Sequence, residues 1–237
     1  MKIKRWGLRH LLLICIIYFI LFSTVQLHAV RTAAFAEQIP TVVIDAGHGG
    51  EDGGASTATG VSESALNLEI ASKLEKLLVL CGVRIKMIRT EDASVATEGN
   101  TIRERKRSDL KRRIDIVEQT DMPIYVSIHQ NHFDRSEYRG LQVFYREDGR
   151  SKELAEALQD LFKNAVNSAN RRRPQRAESV YIMQKISCPA ILVECGFLSN
   201  PQEAMLLQDD GYQRSLSCVI GSALTQFIEE GEIDIEV

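Results

Sequence analysis

The chain has 237 residues, 44% of them hydrophobic and 26% charged, which is enough apolar material for one domain with a full core and excludes a disordered polymer. Five of its 29 lysines and arginines (Lys2, Lys4, Arg5, Arg9, Arg31) lie within residues 1–36, whereas all 32 acidic residues lie beyond them. The remainder therefore holds 24 basic against 32 acidic groups, a formal charge of −8. So acidic a balance excludes a general nucleic-acid binder, which needs a net basic face to release counterions.

In chain order, residues 1–36 come first. Lys2, Lys4, Arg5 and Arg9 precede an apolar run from Leu11 to Phe22, followed by small residues that include Ala34-Phe35-Ala36. This is the pattern of a signal peptide. The uncharged stretch from His10 to Val30 is also long enough for an uncleaved membrane anchor. Both readings export residues 37–237 across the cytoplasmic membrane, since basic residues beside the apolar run stay inside.

From Thr41 onward, short apolar runs alternate with helical periodicities, as α/β layers require. Val42 to Ile44 reads as a buried strand entering a glycine-rich loop. Ser62 caps a helix with Leu66, Ile70, Leu74, Leu77 and Leu78 on one face, and Cys81-Gly82 stops it. Val83 to Ile88 reads as a strand, Glu104 to Glu118 as a helix with Leu110, Ile114 and Val117 inward, and Ile124 to Ile128 as a second buried strand. Leu141 to Tyr145, Val180 to Met183 and Ala190 to Val193 complete the expected strands. Helices near Ser151 to Ala169 and Tyr212 to Ile228 complete the pattern. Glu91 to Asn100 and Arg171-Arg-Arg-Pro174 read as loop material. The expected fold is α/β: a single domain, residues 37–237, with a mixed twisted β-sheet flanked by helices. Cys81, Cys188, Cys195 and Cys218 form no CxxC pair and read as buried small hydrophobes without chemistry.

After residue 36 only His48, His129 and His132 remain as histidines. His48 lies in Asp45-Ala-Gly-His-Gly-Gly50 and His129 in Ser127-Ile-His-Gln-Asn131, each where an apolar strand turns polar. The carboxyl ends of neighbouring strands form the ligand crevice of open α/β sheets, so two such histidines are placed to converge. A catalytic zinc ion takes about three protein ligands and an open position, and two imidazoles with one carboxylate is an established set. Glu63 is the best third ligand because it opens the helix after the glycine loop; the plainer alternative is that it only complements the helix dipole. Glu194 directly follows a buried strand, in Val193-Glu-Cys-Gly-Phe-Leu-Ser-Asn200. Desolvation raises the pKa of such a carboxylate while a nearby zinc ion favours ionisation, which suits it to carry a proton. A structural ion pair is the alternative.

The basic run Arg103 to Arg113 reads either as a solvated helix face or as a clamp for substrate carboxylates. A phosphate-binding loop at Gly47 to Gly54 is excluded, since that stretch lacks the GK[ST] ending and carries Glu51 and Asp52.

The strings Ile44-Asp-Ala-Gly-His-Gly-Gly50, Glu63-Ser-Ala-Leu-Asn67, Ser127-Ile-His-Gln-Asn131 and Val193 to Asn200 together resemble the zinc-dependent N-acetylmuramoyl-L-alanine amidases. The resemblance covers nearly all of Thr41 to Ile228. It implies one zinc ion on His48, Glu63 and His129, Glu194 as the catalytic carboxylate, and peptidoglycan as substrate, cut between N-acetylmuramic acid and L-alanine. Ala46 stands where the family commonly has proline, and Gln130 where a small residue is common; Gln130 is expected on the cleft wall. A leader joined directly to the catalytic domain is similar to the spore-cortex branch, which acts in germination. That implies a cell-wall or cortex location and a functional partnership with a peptidoglycan deacetylase. No substrate-binding residue is assigned. The alternative is a non-catalytic peptidoglycan-binding or regulatory module of the same fold, whose mark would be loss of one of these four residues.

Overall fold

Val42, Val43, Ile44 and Ala46 are all fully buried, so the strand they form has no solvent face and belongs inside a sheet. The computed structural model describes residues 16–24 and 39–233. The strand β1 (Thr41–Ala46) lies between β2 (Arg84–Met87) and β3 (Pro123–Asn131), parallel to both. Next come β6 (Ala190–Phe197), parallel to β3, then β4 (Gln142–Tyr145), antiparallel to β6, and β5 (Gln175–Arg176) at the edge. The sheet is thus six-stranded and mixed, as the sequence suggests.

Helices cover both faces. With α1 the nine residues 16–24, which belong to a separate unit, the helices of the sheet's own unit begin with α2 (Glu63–Leu80) and α3 (Ile102–Glu118). They are followed by α4 (Gly149–Ala165), α5 (Pro201–Leu206) and α6 (Asp210–Ile233). Alternate residues of each central strand face opposite ways. Val42, Ile44, Val126, Ile128, Ile191 and Val193 pack against Leu66, Ile70 and Leu74 of α2, Leu158 of α4 and Ile220 of α6. Val43, Tyr125 and Leu192 face the other way, against Val117 of α3 and Ile182 and Met183. Residues from Pro40 onward form one compact unit, and those up to Ile39 another.

Helix starts follow local chemistry. Ser62 caps α2 by accepting the Ala65 N–H at 3.4 Å, and Thr101 with Glu104 closes a reciprocal capping box on α3. Beyond the end of α2, Gly82 sits at φ +77, where a side chain would be strained.

Three expectations change. Val180 to Met183 is not a strand: it forms a turn and a 3₁₀ helix, Ile182–Gln184, because short apolar runs look alike in either state. A short α5, capped by the Asn200 side chain with Pro201 in its first turn, precedes the closing helix. Cys188 and Cys195 are buried, but Cys81 and Cys218 are exposed, at the C-cap of α2 and on the outer side of α6. Most of the leader or anchor read in residues 1–36 lies outside the described residues. Among the described residues, no helix is long and apolar enough to cross a membrane.

Candidate metal centre

Three parallel strands end side by side, and each presents a polar group just where its apolar stretch stops. After β1 the chain turns through Gly47, His48, Gly49 and Gly50, with φ at +63 for His48, +134 for Gly49 and +61 for Gly50. Left-handed backbone at three consecutive residues favours glycine at two of them and strains the third. A Cβ on Gly47 would lie 2.2 Å from the His129 imidazole, so only glycine lets that ring approach.

The sheet register places the rest. His129 of β3 pairs with Glu194 of β6, and both side chains project on the α3 side of the sheet, as Tyr125 and Leu192 do. Glu63, in the first turn of α2, points back between the two histidines. Its Oε1 lies 3.2 Å from His48 Nε2 and 3.0 Å from His129 Nδ1. Neighbouring ligand atoms around a tetrahedral zinc ion with bonds near 2.05 Å are separated by about 3.3 Å. One donor atom from each of His48, Glu63 and His129 lies within 4.8 Å of the others, so the donor set fits a single cation. Glu194 stands beside it: its Oε2 is buried and has no hydrogen-bond partner among the described residues.

The electrostatics separate the two glutamates. Burial raises the Glu63 pKa, but hydrogen bonds from His129 and His48 outweigh it and hold the carboxyl far below the usual range. Glu63 also accepts backbone N–H groups from Gln130 at 3.1 Å and Ala55 at 2.9 Å, so it is a fixed anion. Burial pushes the Glu194 carboxyl up to about 7, with His129 opposing and the Glu63 charge reinforcing. Burial lowers the His48 pKa, yet Glu63 and then Asp52 outweigh it and raise the ring above its ordinary value. The two carboxyls are thus held apart in acidity, Glu63 pulled down by its hydrogen bonds and Glu194 pushed up by burial.

The surrounding shell holds residues that the sequence reading passed over. Asp52 Oδ2 lies 3.1 Å from His48 Nδ1 and 3.0 Å from Lys106 Nζ. Arg113, within the basic run of α3, is not a solvated residue but is 2% exposed. Its guanidinium bonds Asp45 and the Ala46 carbonyl, Asp109 at 2.6 Å and the His48 carbonyl at 2.6 Å. Arg89 caps carbonyls of Ala46, Gly47 and Ser64 at 2.7, 3.0 and 2.8 Å, tying the glycine loop to the start of α2. Gln130 does not line the cleft: strand alternation turns it to the α2 side, where it is buried and donates to Asn67 at 3.2 Å. The signal for Arg113 was available, since it falls on the inward stripe of Leu110, Ile114 and Val117 at helical spacing.

Comparisons with known proteins show the family. The profile of the family described as Amidase_3, N-acetylmuramoyl-L-alanine amidase, matches residues 42–226. The chain belongs to that family. The amidase is therefore an enzyme, and its reaction is amide hydrolysis in peptidoglycan. It is 34% identical over 195 residues to the germination-specific N-acetylmuramoyl-L-alanine amidase of Bacillus subtilis strain 168, covering 81% of each chain. It is 28% identical to the probable cell wall amidase LytH of Staphylococcus epidermidis over 79% of its own length, spanning 58% of that protein. Among solved structures, it superposes with TM-score 0.77 and 36% identity on the CwlD amidase of Clostridioides difficile, a structure in complex with the GerS lipoprotein. The match covers 80% of this chain and 98% of that one. A second N-acetylmuramoyl-L-alanine amidase, from Clostridium difficile 630, superposes at TM-score 0.69 with 30% identity, covering 81% and 97%. This amidase acts on peptidoglycan, outside the cytoplasm.

Proposed function

We propose that the amidase works with one zinc ion held by His48, Glu63 and His129, that Glu194 is its acid/base, and that its substrate is spore cortex peptidoglycan. The observation that carries the site reading is the pairing of a converging His-Glu-His donor set with a neighbouring buried carboxylate whose Oε2 has no partner among the described residues. When bound, zinc supplies Lewis-acid polarisation of the scissile carbonyl, lowers the pKa of water and stabilises developing negative charge.

The chain's own residues do the remainder. Glu63 brings the negative charge to the donor set and, through Gln130 and Ala55, is fixed to β3 and the loop before α2. Asp52 orients the His48 ring from behind. Glu194 takes a proton from the attacking water as its oxygen joins the lactyl carbonyl carbon. It returns that proton to the alanine nitrogen as the C–N bond breaks. The carboxyl thereby ends the cycle as it began.

The cortex assignment is supported by the 34% identity to a germination-specific amidase along most of both chains. In that reading the cut exposes the muramic acid carboxyl for lactam formation, and a peptidoglycan deacetylase acts on the same residue. A lipoprotein is a fitting accessory partner, given the complex in which the CwlD amidase was solved. Residues 1–36 serve as a cleaved signal peptide or a membrane anchor, with 37–237 as the catalytic domain.

The test is to incubate the purified chain with cortex peptidoglycan, with and without a chelator, and to weigh the fragments. Intact peptides beginning with L-alanine, released only when zinc is present, are expected. Cleaved sugar bonds, or release unaffected by the chelator, would overturn the proposal.

A further inference from the structure

Most cations around the centre are already paired: Arg105 with Glu51, Lys106 with Asp52, and Arg113 with Asp45 and Asp109. Arg139, Arg171 and Arg172 differ. They line an open cavity of about 500 Å³ together with Tyr138, Asn167 and Asn170. Their hydrogen bonds run to carbonyl and amide oxygens, Arg171 to Ser168 and Arg172 to Arg139 and Gln142, and none of the three has a carboxylate ion pair among the described residues. Glu137, on the cavity rim, is matched by Arg135. Glu203 acts on Arg172 and Arg139 only through space, its oxygens being taken by the Gly140 and Phe197 N–H groups at 2.7 and 2.9 Å. Three guanidinium groups without a paired carboxylate around one hollow make a site for an anion.

Its position relates it to the reaction. Gly140, in the cavity wall, lies just before β4, whose Gln142 pairs with Glu194 across the β4/β6 ladder. Arg172 Nη1 donates to Gln142 Oε1 at 3.1 Å, so the cavity adjoins the neighbour of the catalytic carboxyl. The Arg172 guanidinium also lies 4.4 Å from the Phe197 ring centre, three residues past Glu194, and Phe133 stacks on that ring at 5.7 Å. An arginine held over an aromatic ring loses less freedom on binding a ligand.

We propose that this cavity is the subsite for the peptide half of the substrate and binds a free carboxylate of the stem. The inference rests on the amidase reading above. A peptide joined through its N-terminus to muramic acid has its free carboxylate at the far end. Strands are about 4.8 Å apart and an extended peptide advances about 3.4 Å per residue, so a few residues reach from Glu194 into the cavity. The guanidinium fork matches a carboxylate in shape and charge.

The test compares cleavage of a soluble muropeptide whose stem carboxylates are free with that of the same muropeptide fully amidated. It uses the full chain and a chain with Arg139→Gln and Arg171→Gln; Arg172 is kept because it also holds the Gln142 side chain on the strand beside Glu194. For the unaltered chain, amidation is expected to raise KM about tenfold and leave kcat within about twofold. The double substitution should do the same with the free carboxylates, and amidation should then add nothing. Lys76→Gln with Lys152→Gln, exposed on α2 and α4, removes the same charge elsewhere and should leave KM unchanged. Equal KM for the two substrates, additive losses, or an equal rise with the Lys76 and Lys152 substitutions would overturn the subsite while leaving the amidase reading intact. If the unaltered chain releases no peptide from either muropeptide, both fall together. Calorimetric titration of the free stem peptide gives a readout independent of turnover: binding weakened about tenfold by the double substitution supports the subsite, and unchanged binding overturns it.

Discussion

Replacing Arg113 by Met tests whether the buried ion network supports the metal centre. Asp45 is 1% exposed and is held by Arg113 and by the Tyr125 hydroxyl at 2.5 Å; Arg113 is itself 2% exposed. Removing one partner of a buried pair leaves the other charge unmatched and costs about 3–5 kcal/mol. Desolvation disfavours the buried guanidinium, but Asp45 and Asp109 outweigh it and raise its pKa, so the charge is present at any working pH. For a domain of this size, about 4 kcal/mol lowers Tm by about 8–16 °C. The measurement is equilibrium urea unfolding in chelator, which removes any contribution from bound metal. Arg113→Lys keeps the charge but not the fork, and should fall between the parent and Arg113→Met. The same substitution frees the His48 carbonyl from its 2.6 Å bond, so zinc affinity should fall as well. A stability change below about 1 kcal/mol for Arg113→Met would refute the reasoning, because a buried carboxylate without its partner cannot be so cheap.

Other outcomes follow from neighbouring groups. Asp52→Asn leaves the three donors in place but loses the anion behind His48, and zinc affinity by chelator competition should drop about ten- to hundredfold. Gly47→Ala places a Cβ 2.2 Å from the His129 ring, so zinc content should fall more than overall stability does. Glu194→Gln should retain zinc yet lose at least about a hundredfold in turnover. In the metal-free chain the same variant isolates a pH effect. A carboxyl raised from 4.5 to about 7 binds its proton more tightly in the folded state. Its stabilising contribution is therefore complete below pH 4.5 and disappears as pH rises through about 7, a difference of roughly 3 kcal/mol between parent and variant. An identical pH profile for both chains would contradict that environment.

The residues at element ends were the legible part of this molecule. His48, Glu63, His129 and Glu194 each stand where an apolar strand stops or a helix starts, and that change of pattern is visible locally. The central strands were equally plain, since runs such as Val42 to Ile44 and Ala190 to Val193 have no polar face. What depended on depth was hidden. Arg113 sits among six other basic residues, and only its place on the inward stripe marks it as buried. Arg171 and Arg172 read as loop residues because their cavity forms only when Tyr138 and Arg139 arrive from more than thirty positions away. Val180 to Met183 resembled a strand because four apolar-rich residues do not carry enough period to exclude a turn.

The β3/β6 register has a consequence for how this enzyme can change. His129 and Glu194 face each other across one rung of a parallel ladder, and the register shifts between His129 and Asn131. The span between the proposed metal ligand and the proposed proton carrier is thus measured by backbone hydrogen bonds, a ruler that side-chain replacement cannot rescale. Slipping the pairing by one residue would turn Glu194 to the opposite face, so no intermediate spacing exists. Drift in the surrounding walls can retune which peptides enter, while the gap at which the proton moves stays locked to the sheet.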